Sequence, residues 1–105
     1  GNDIVKIAAI SEMLKNGADY AAKLFSVTTF SERKHRAVCE GMILCAKGEF
    51  RQAKIRLIEA TGSQLVPMLS VWCLSLLEKC AAGLKDFENA YAYSIRRREA
   101  VDGLK

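Results

Sequence analysis

The chain is predicted to be all-α, with about six antiparallel helices that either stack as three helical hairpins or close into a bundle. Three observations predict this. Turn-forming residues fall at Asn16-Gly17, Phe30-Ser31, Lys47-Gly48, Thr61-Gly62-Ser63 and Ala82-Gly83, leaving six segments between them. No segment alternates polar and apolar residues with period two, and β-branched residues cluster only at Val27-Thr28-Thr29. The 105 residues suffice for one domain, and connections this short make consecutive helices antiparallel neighbours.

Helix one is predicted from about Asp3 to Lys15, with Asp3 as N-cap and Ile4, Ile7, Ala8, Met13 and Leu14 at helical spacing. Helix two follows from about Ala18 to Phe30. Helix three starts near Ser31 and runs through Ala37, Val38, Gly41, Met42, Leu44 and Cys45 to Lys47, where Gly48 stops it. Helix four spans about Glu49 to Thr61 and is apolar at Ala53, Ile55, Leu57, Ile58 and Ala60. Helix five starts near Ser63 or Pro67 and reaches about Ala82. Helix six, the most polar, spans about Lys85 to Asp102, with Arg96, Arg97 and Arg98 towards its negative end.

Composition narrows the function classes. Half of the chain is apolar, at the top of the globular range, so the surplus over what one core can hide is expected to form a binding face. The charge of +4, from 16 basic and 12 acidic residues, is too mild to call for nucleic acid. Arg33-Lys34-Arg36 and Arg96-Arg97-Arg98 are basic clusters, but Glu32, Glu40 and Glu99 lie beside them, as on solvated helix ends. The longest apolar-rich stretch, Leu65 to Leu77, is too short to span a bilayer and includes Pro67, Ser70 and Ser75. No charged-then-apolar leader opens the sequence, so no signal peptide is expected.

Little points to catalysis. Cys39, Cys45, Cys73 and Cys80 lie in apolar helical stretches without C-x-x-C spacing and are expected to be reduced core residues of a cytoplasmic protein, not zinc ligands. His35, the single histidine, stands four residues before Cys39, the spacing of a nucleophilic dyad or half a metal site. It also sits in a charged helix start, where a surface histidine is the plainer reading. No phosphate loop, nucleophile elbow or paired acidic motif occurs, so no enzyme activity, cofactor or metal is expected.

The chain carries a repeat. Gly48-Glu49-Phe50-Arg51-Gln52-Ala53 has glycine, aromatic and alanine in a set order, with Gly41 seven residues before and Leu57, Ala60 and Pro67 after. This arrangement resembles one tetratricopeptide repeat, a helical hairpin with a period of about 34 residues. Gly41 and Ala53 would let the two helices approach closely, Phe50 would fill the space beside the turn, and Ala60 would leave room for the next hairpin. Gly17-Ala18-Asp19-Tyr20-Ala21-Ala22 and Lys85-Asp86-Phe87-Glu88-Asn89-Ala90 are fainter echoes. In that register the first helix of each hairpin lines the concave side. Val38, Met42 and Cys45 on helix three and Leu69, Trp72 and Leu76 on helix five form apolar stripes there. Ordinary core packing is the alternative for each residue singly; together they suit the docking of a guest helix.

The run from about Arg36 to Lys79 also resembles a narrower family, the tetratricopeptide-type chaperones that hold the needle subunit of bacterial type III secretion systems. The resemblance rests on the Ala37-Val38 helix start leading into the glycine–aromatic turn, on Leu65-Val66-Pro67-Met68-Leu69, and on Trp72-Cys73-Leu74 followed by a final helix. It implies a cytoplasmic chaperone that clasps the subunit's amphipathic C-terminal helix and prevents premature polymerisation. It further implies a second, small helical co-chaperone packed on the first hairpin. In that reading Val38, Met42, Cys45, Leu69, Trp72 and Leu76 hold the needle helix, and Ile7, Ile10 and Leu14 face the co-chaperone. A generic tetratricopeptide-like adaptor or scaffold domain is the alternative.

Overall fold

The structure, a computed structural model, describes residues 2–104 and is all-α. Six α-helices follow in order: α1 (Asp3–Met13), α2 (Ala18–Ser26), α3 (Arg33–Ala46), α4 (Phe50–Thr61), α5 (Pro67–Gly83) and α6 (Phe87–Asp102). A short 3-10 turn, Leu14–Asn16, extends α1. Each helix packs on the next in sequence, and the first helices of successive hairpins also meet, α1 on α3 and α3 on α5. α6 packs substantially on α5 alone. This is a stack of three hairpins.

The repeat residues explain the stacking. A Cβ at Gly41 would lie 2.6 Å from Leu57 Cγ, so α3 and α4 cross there because position 41 has no side chain. Ala53, Leu57 and Ala60 are wholly buried. A methyl group at Gly83 would strike the Phe50 ring, so the ring that opens α4 sits against the end of α5.

The turns of the second and third hairpins are built alike. Gly48 takes φ +79°, with Gly48 N–H donating to Cys45 O and Glu49 N–H to Leu44 O at 3.0 and 2.9 Å. Lys85 takes φ +62°, with Lys85 N–H donating to Ala82 O and Asp86 N–H to Ala81 O at 3.0 and 2.8 Å. Both are Schellman stops, which favour glycine at the left-handed position. Lys85 thus does the work of Gly48 without a glycine's freedom. The structure also fixes the register of the first echo. Gly17, Glu49 and Asp86 are the N-caps of the second helices of the three hairpins, and the alanine four residues after each is Ala21, Ala53 and Ala90. Ala21, not Ala22, is the residue equivalent to Ala53.

The end of helix two differs most from expectation. α2 stops at Ser26 and not at Phe30, because the β-branched run that follows resists the helix. There Thr28 Oγ1 donates to Leu24 O at 2.6 Å, Lys6 Nζ donates to Thr29 O at 2.6 Å, and Phe30 packs on Phe25 with ring centroids 5.9 Å apart. Helix five starts at Pro67, whose fixed φ suits the first helical position, with Val66 extended before it.

Candidate functional site

Residues of all three hairpins meet at one furrow. Ser11 and Leu14 from the first hairpin, Met42, Cys45 and Ala46 from α3, and Trp72, Leu76 and Lys79 from α5 line a hollow of about 260 Å³. Trp72 also borders a second, larger hollow of about 410 Å³ with Met68, Val71, Ser75, Arg97 and Leu104. Trp72 on α5 is the residue the two hollows share. Each has room for large side chains, not for a whole helix.

The nine residues assigned to partners divide by depth. Val38, Met42, Cys45, Leu69, Ile7 and Ile10 are interior, with at most 4% of their surface exposed. Met42 and Cys45 reach the furrow as its floor. Leu14, Trp72 and Leu76 are half-buried and form its walls. Leu14, assigned to the co-chaperone side, therefore belongs to the same furrow as Trp72.

Exposed apolar residues also lie outside that set. Ile4 and Val5 on α1 are about half exposed, and Met68, at the rim of the second hollow, is 73% exposed. Phe87 and Tyr91 on α6, with Ile55 and Ile58 on α4, are exposed as well. The signal was present in α1: from Ile4 to Ile10 every residue but Lys6 is apolar, more than one buried face can use.

Asp3 and His35 are the buried polar pair, and both differ from expectation. Asp3 does not cap α1, where Asn2 takes the N-cap place and makes no side-chain hydrogen bond. Its carboxylate instead holds the backbone just ahead of α3. It accepts from Ser31 N–H at 2.9 and 3.1 Å and from Glu32 N–H at 3.1 Å. His35 Nδ1 lies 2.8 Å away; a carboxylate can only accept, so the ring nitrogen carries the hydrogen. The backbone N–H of Ser31, more than any other partner, holds the Asp3 carboxyl down at about 2. His35 is therefore not a surface residue, nor is its Nδ1 turned to Cys39. Burial pushes the Cys39 thiol up to about 12, the opposite of an activated nucleophile. Among the described residues no group of three or more His, Cys, Asp or Glu side chains could hold a metal ion.

The basic clusters are largely engaged within the fold. Arg33 Nε lies 2.8 Å from Glu59 Oε1, Lys34 Nζ donates to Gln64 O, and the Arg36 guanidinium rests 4.7 Å above the Phe25 ring. Arg56 pairs with Glu40 and Arg97 with Glu78, the latter at 3.1 Å. The hollow of about 350 Å³ between α3 and α4 is lined by Arg33, Arg36 and Arg56 but also by Glu40 and Glu59, so its charge is nearly balanced.

No described helix is long and apolar enough to cross a membrane. Comparisons of the chain with protein families, with curated proteins and with solved structures find no match in any of the three.

Proposed function

We propose that the chain is a cytoplasmic chaperone that grips an amphipathic helix of another polypeptide along the furrow. The guest that fits the sequence resemblance is a type III secretion needle subunit, held as a monomer before export. The observation that carries this reading is the furrow itself, apolar and shared by the first hairpin, α3 and α5. Leu14, Trp72 and Leu76 are already half covered, so each stands to gain about 1 kcal/mol on full burial. With Met68 and the floor residues Met42 and Cys45, that is enough to offset part of the cost of ordering a free helix while still permitting release. The exposed Ile4 and Val5, beside Ala8 and Ala9, offer the first hairpin's surface to a small helical co-chaperone.

Trp72 is the only tryptophan, so its fluorescence reports the furrow directly. Titration with a soluble amphipathic helical peptide should shift the emission to the blue, and Trp72→Ala should weaken binding at least tenfold, as hot-spot aromatics do. Unchanged emission together with unchanged affinity of the variant would overturn the reading. Co-expressed with its neighbouring open reading frames, the chain should co-purify with a short polymerising protein and be poorly behaved without it.

The alternative reading, a tetratricopeptide-like adaptor or scaffold, is favoured by the exposed apolar residues of the second helices, Ile55 and Ile58 on α4 and Phe87 and Tyr91 on α6. There Phe87→Ser and Tyr91→Ser would abolish partner capture and Trp72→Ala would not.

A further inference from the structure

The third hairpin carries a seam of its own. On α6, Phe87, Tyr91, Ser94 and Arg98 follow one another at spacings of four, three and four, so they lie along one side of the helix. Phe87 and Tyr91 are 67% and 69% exposed, Arg98 is exposed and Ser94 is half-buried. One repeat earlier, the same side of α4 carries Phe50, Lys54, Leu57 and Thr61, all buried or half-buried where α5 packs on α4. Of the three successive arginines, Arg98 is the one on the seam. Arg96 lies 5.8 Å from the centre of the Tyr93 ring and Arg97 pairs with Glu78.

We propose that a second copy of this chain covers the seam, the two α6 helices packing antiparallel about a two-fold axis between Tyr91 and Ser94. The seam is its own complement, because a spacing of four, three and four reads the same from either end. An antiparallel copy sets Tyr91 against the partner's Ser94 and Phe87 against the partner's Arg98, and the symmetry repeats both contacts. A large ring thus meets a small side chain, which lets the helices approach. A guanidinium meets an aromatic face, a contact that cations favour. Glu88, exposed beside Phe87, brings opposite charge to the same guanidinium. A parallel copy would set Arg98 against the partner's Arg98 and lose both contacts.

The arrangement continues the rule of the stack. The side of α4 that receives α5 within the chain is the side of α6 that receives the second copy. An isologous pair closes on itself, so assembly ends at two chains. A single helix pair covers less than a standard interface, so the dimer is weak and forms as concentration rises. None of the four seam residues lines the furrow, so the dimer does not depend on which guest the furrow takes.

The test follows the oligomeric state of the whole chain by sedimentation velocity over a concentration series. The chain should pass from monomer to dimer and no further. The Phe87→Ser, Tyr91→Ser double variant should stay monomeric with an unchanged helical circular dichroism spectrum, since neither side chain is buried. Tyr91→Ala should raise the dissociation constant about tenfold. Charge reads the orientation: Phe87→Lys faces the partner's Arg98 and should weaken the dimer, and adding Arg98→Glu should restore part of it. Trp72→Ala should dimerise as the unaltered chain does, whatever it does to guest binding. A monomer at every concentration, a dimer that Trp72→Ala dissolves and the double variant does not, or assemblies that grow past two chains would overturn the proposal.

Discussion

The second and third hairpins share a turn but not an environment. Thirty-seven residues separate Gly48, Phe50 and Ala53 from Lys85, Phe87 and Ala90, and the same step carries Gly41 to Glu78, Leu57 to Ser94 and Ala60 to Arg97. In the second hairpin these places are closed in by α5 on one side and the first hairpin on the other. Gly41 makes way for Leu57, Ala60 lies fully buried, and the Phe50 ring is half covered against Gly83. In the third hairpin only α5 packs substantially on α6 among the described residues, and α6 has no buried residue. There the close-packed Gly41 and Leu57 give way to Glu78 and Ser94, Ala60 gives way to an Arg97 that pairs with Glu78, and Phe87 stands 67% exposed. A repeat's signature is therefore a record of what lies on both sides of it, and it lapses where the stack ends.

The largest effects should fall in the second hairpin. Leu57→Ala removes a wholly buried side chain and should cost about 3 kcal/mol, while Ser94→Ala at the equivalent place should stay within about 0.5 kcal/mol. Chemical denaturation of the two variants checks the contrast, and equal costs would break it. Gly41→Val forces atoms into Leu57 and should cost about 2–3 kcal/mol. Adding Leu57→Ala to Gly41→Val should then cost less than the sum of the two, because each relieves the other.

Next in size is the tie between the first hairpin and the second. The Asp3 carboxyl titrates near 2 when folded, against an ordinary value of 3.8. A depressed carboxyl adds stability that is present in full above its unfolded value and is lost as pH falls through the folded one. Asp3 should therefore contribute about 2 kcal/mol at neutral pH, fading between about pH 4 and pH 2. Asp3→Asn should remove most of that contribution and flatten the acid limb of a stability-against-pH curve.

The hairpin order was legible because its signals are local. The Gly48–Phe50–Ala53 spacing and the small Gly41 and Ala60 carry their packing reasons in residue size. The Asp3–His35 pair was not legible, since 32 positions separate the two and only the stacking of α1 on α3 joins them. The furrow's lining was legible only in part. Helical spacing picked out Met42, Cys45, Trp72 and Leu76, which line it, but not their depth, and also Val38 and Leu69, which lie beneath it. α3 is flanked by both α1 and α5, so Val38, Met42 and Cys45 sink below the surface. α5 is flanked by α3 alone among the first helices, and its Trp72 and Leu76 stay half exposed.

The smallest effect isolates the turns themselves. Lys85 holds φ +62°, which costs a side-chain-bearing residue about 1–2 kcal/mol over a right-handed conformation. Lys85→Gly relieves that strain but also loosens the unfolded chain by about 0.5–1 kcal/mol, so a net gain of about 0.5–1 kcal/mol is expected. Gly48→Ala should lose about as much, and for backbone reasons only, since a Cβ there meets nothing within 4 Å. Opposite signs of similar size would show that the two turns are one device carried by two residue types. A loss on Lys85→Gly would mean instead that the lysine side chain is needed where it stands, and the third hairpin's departure from glycine would then be a feature of its surface, not a lapse in its repeat.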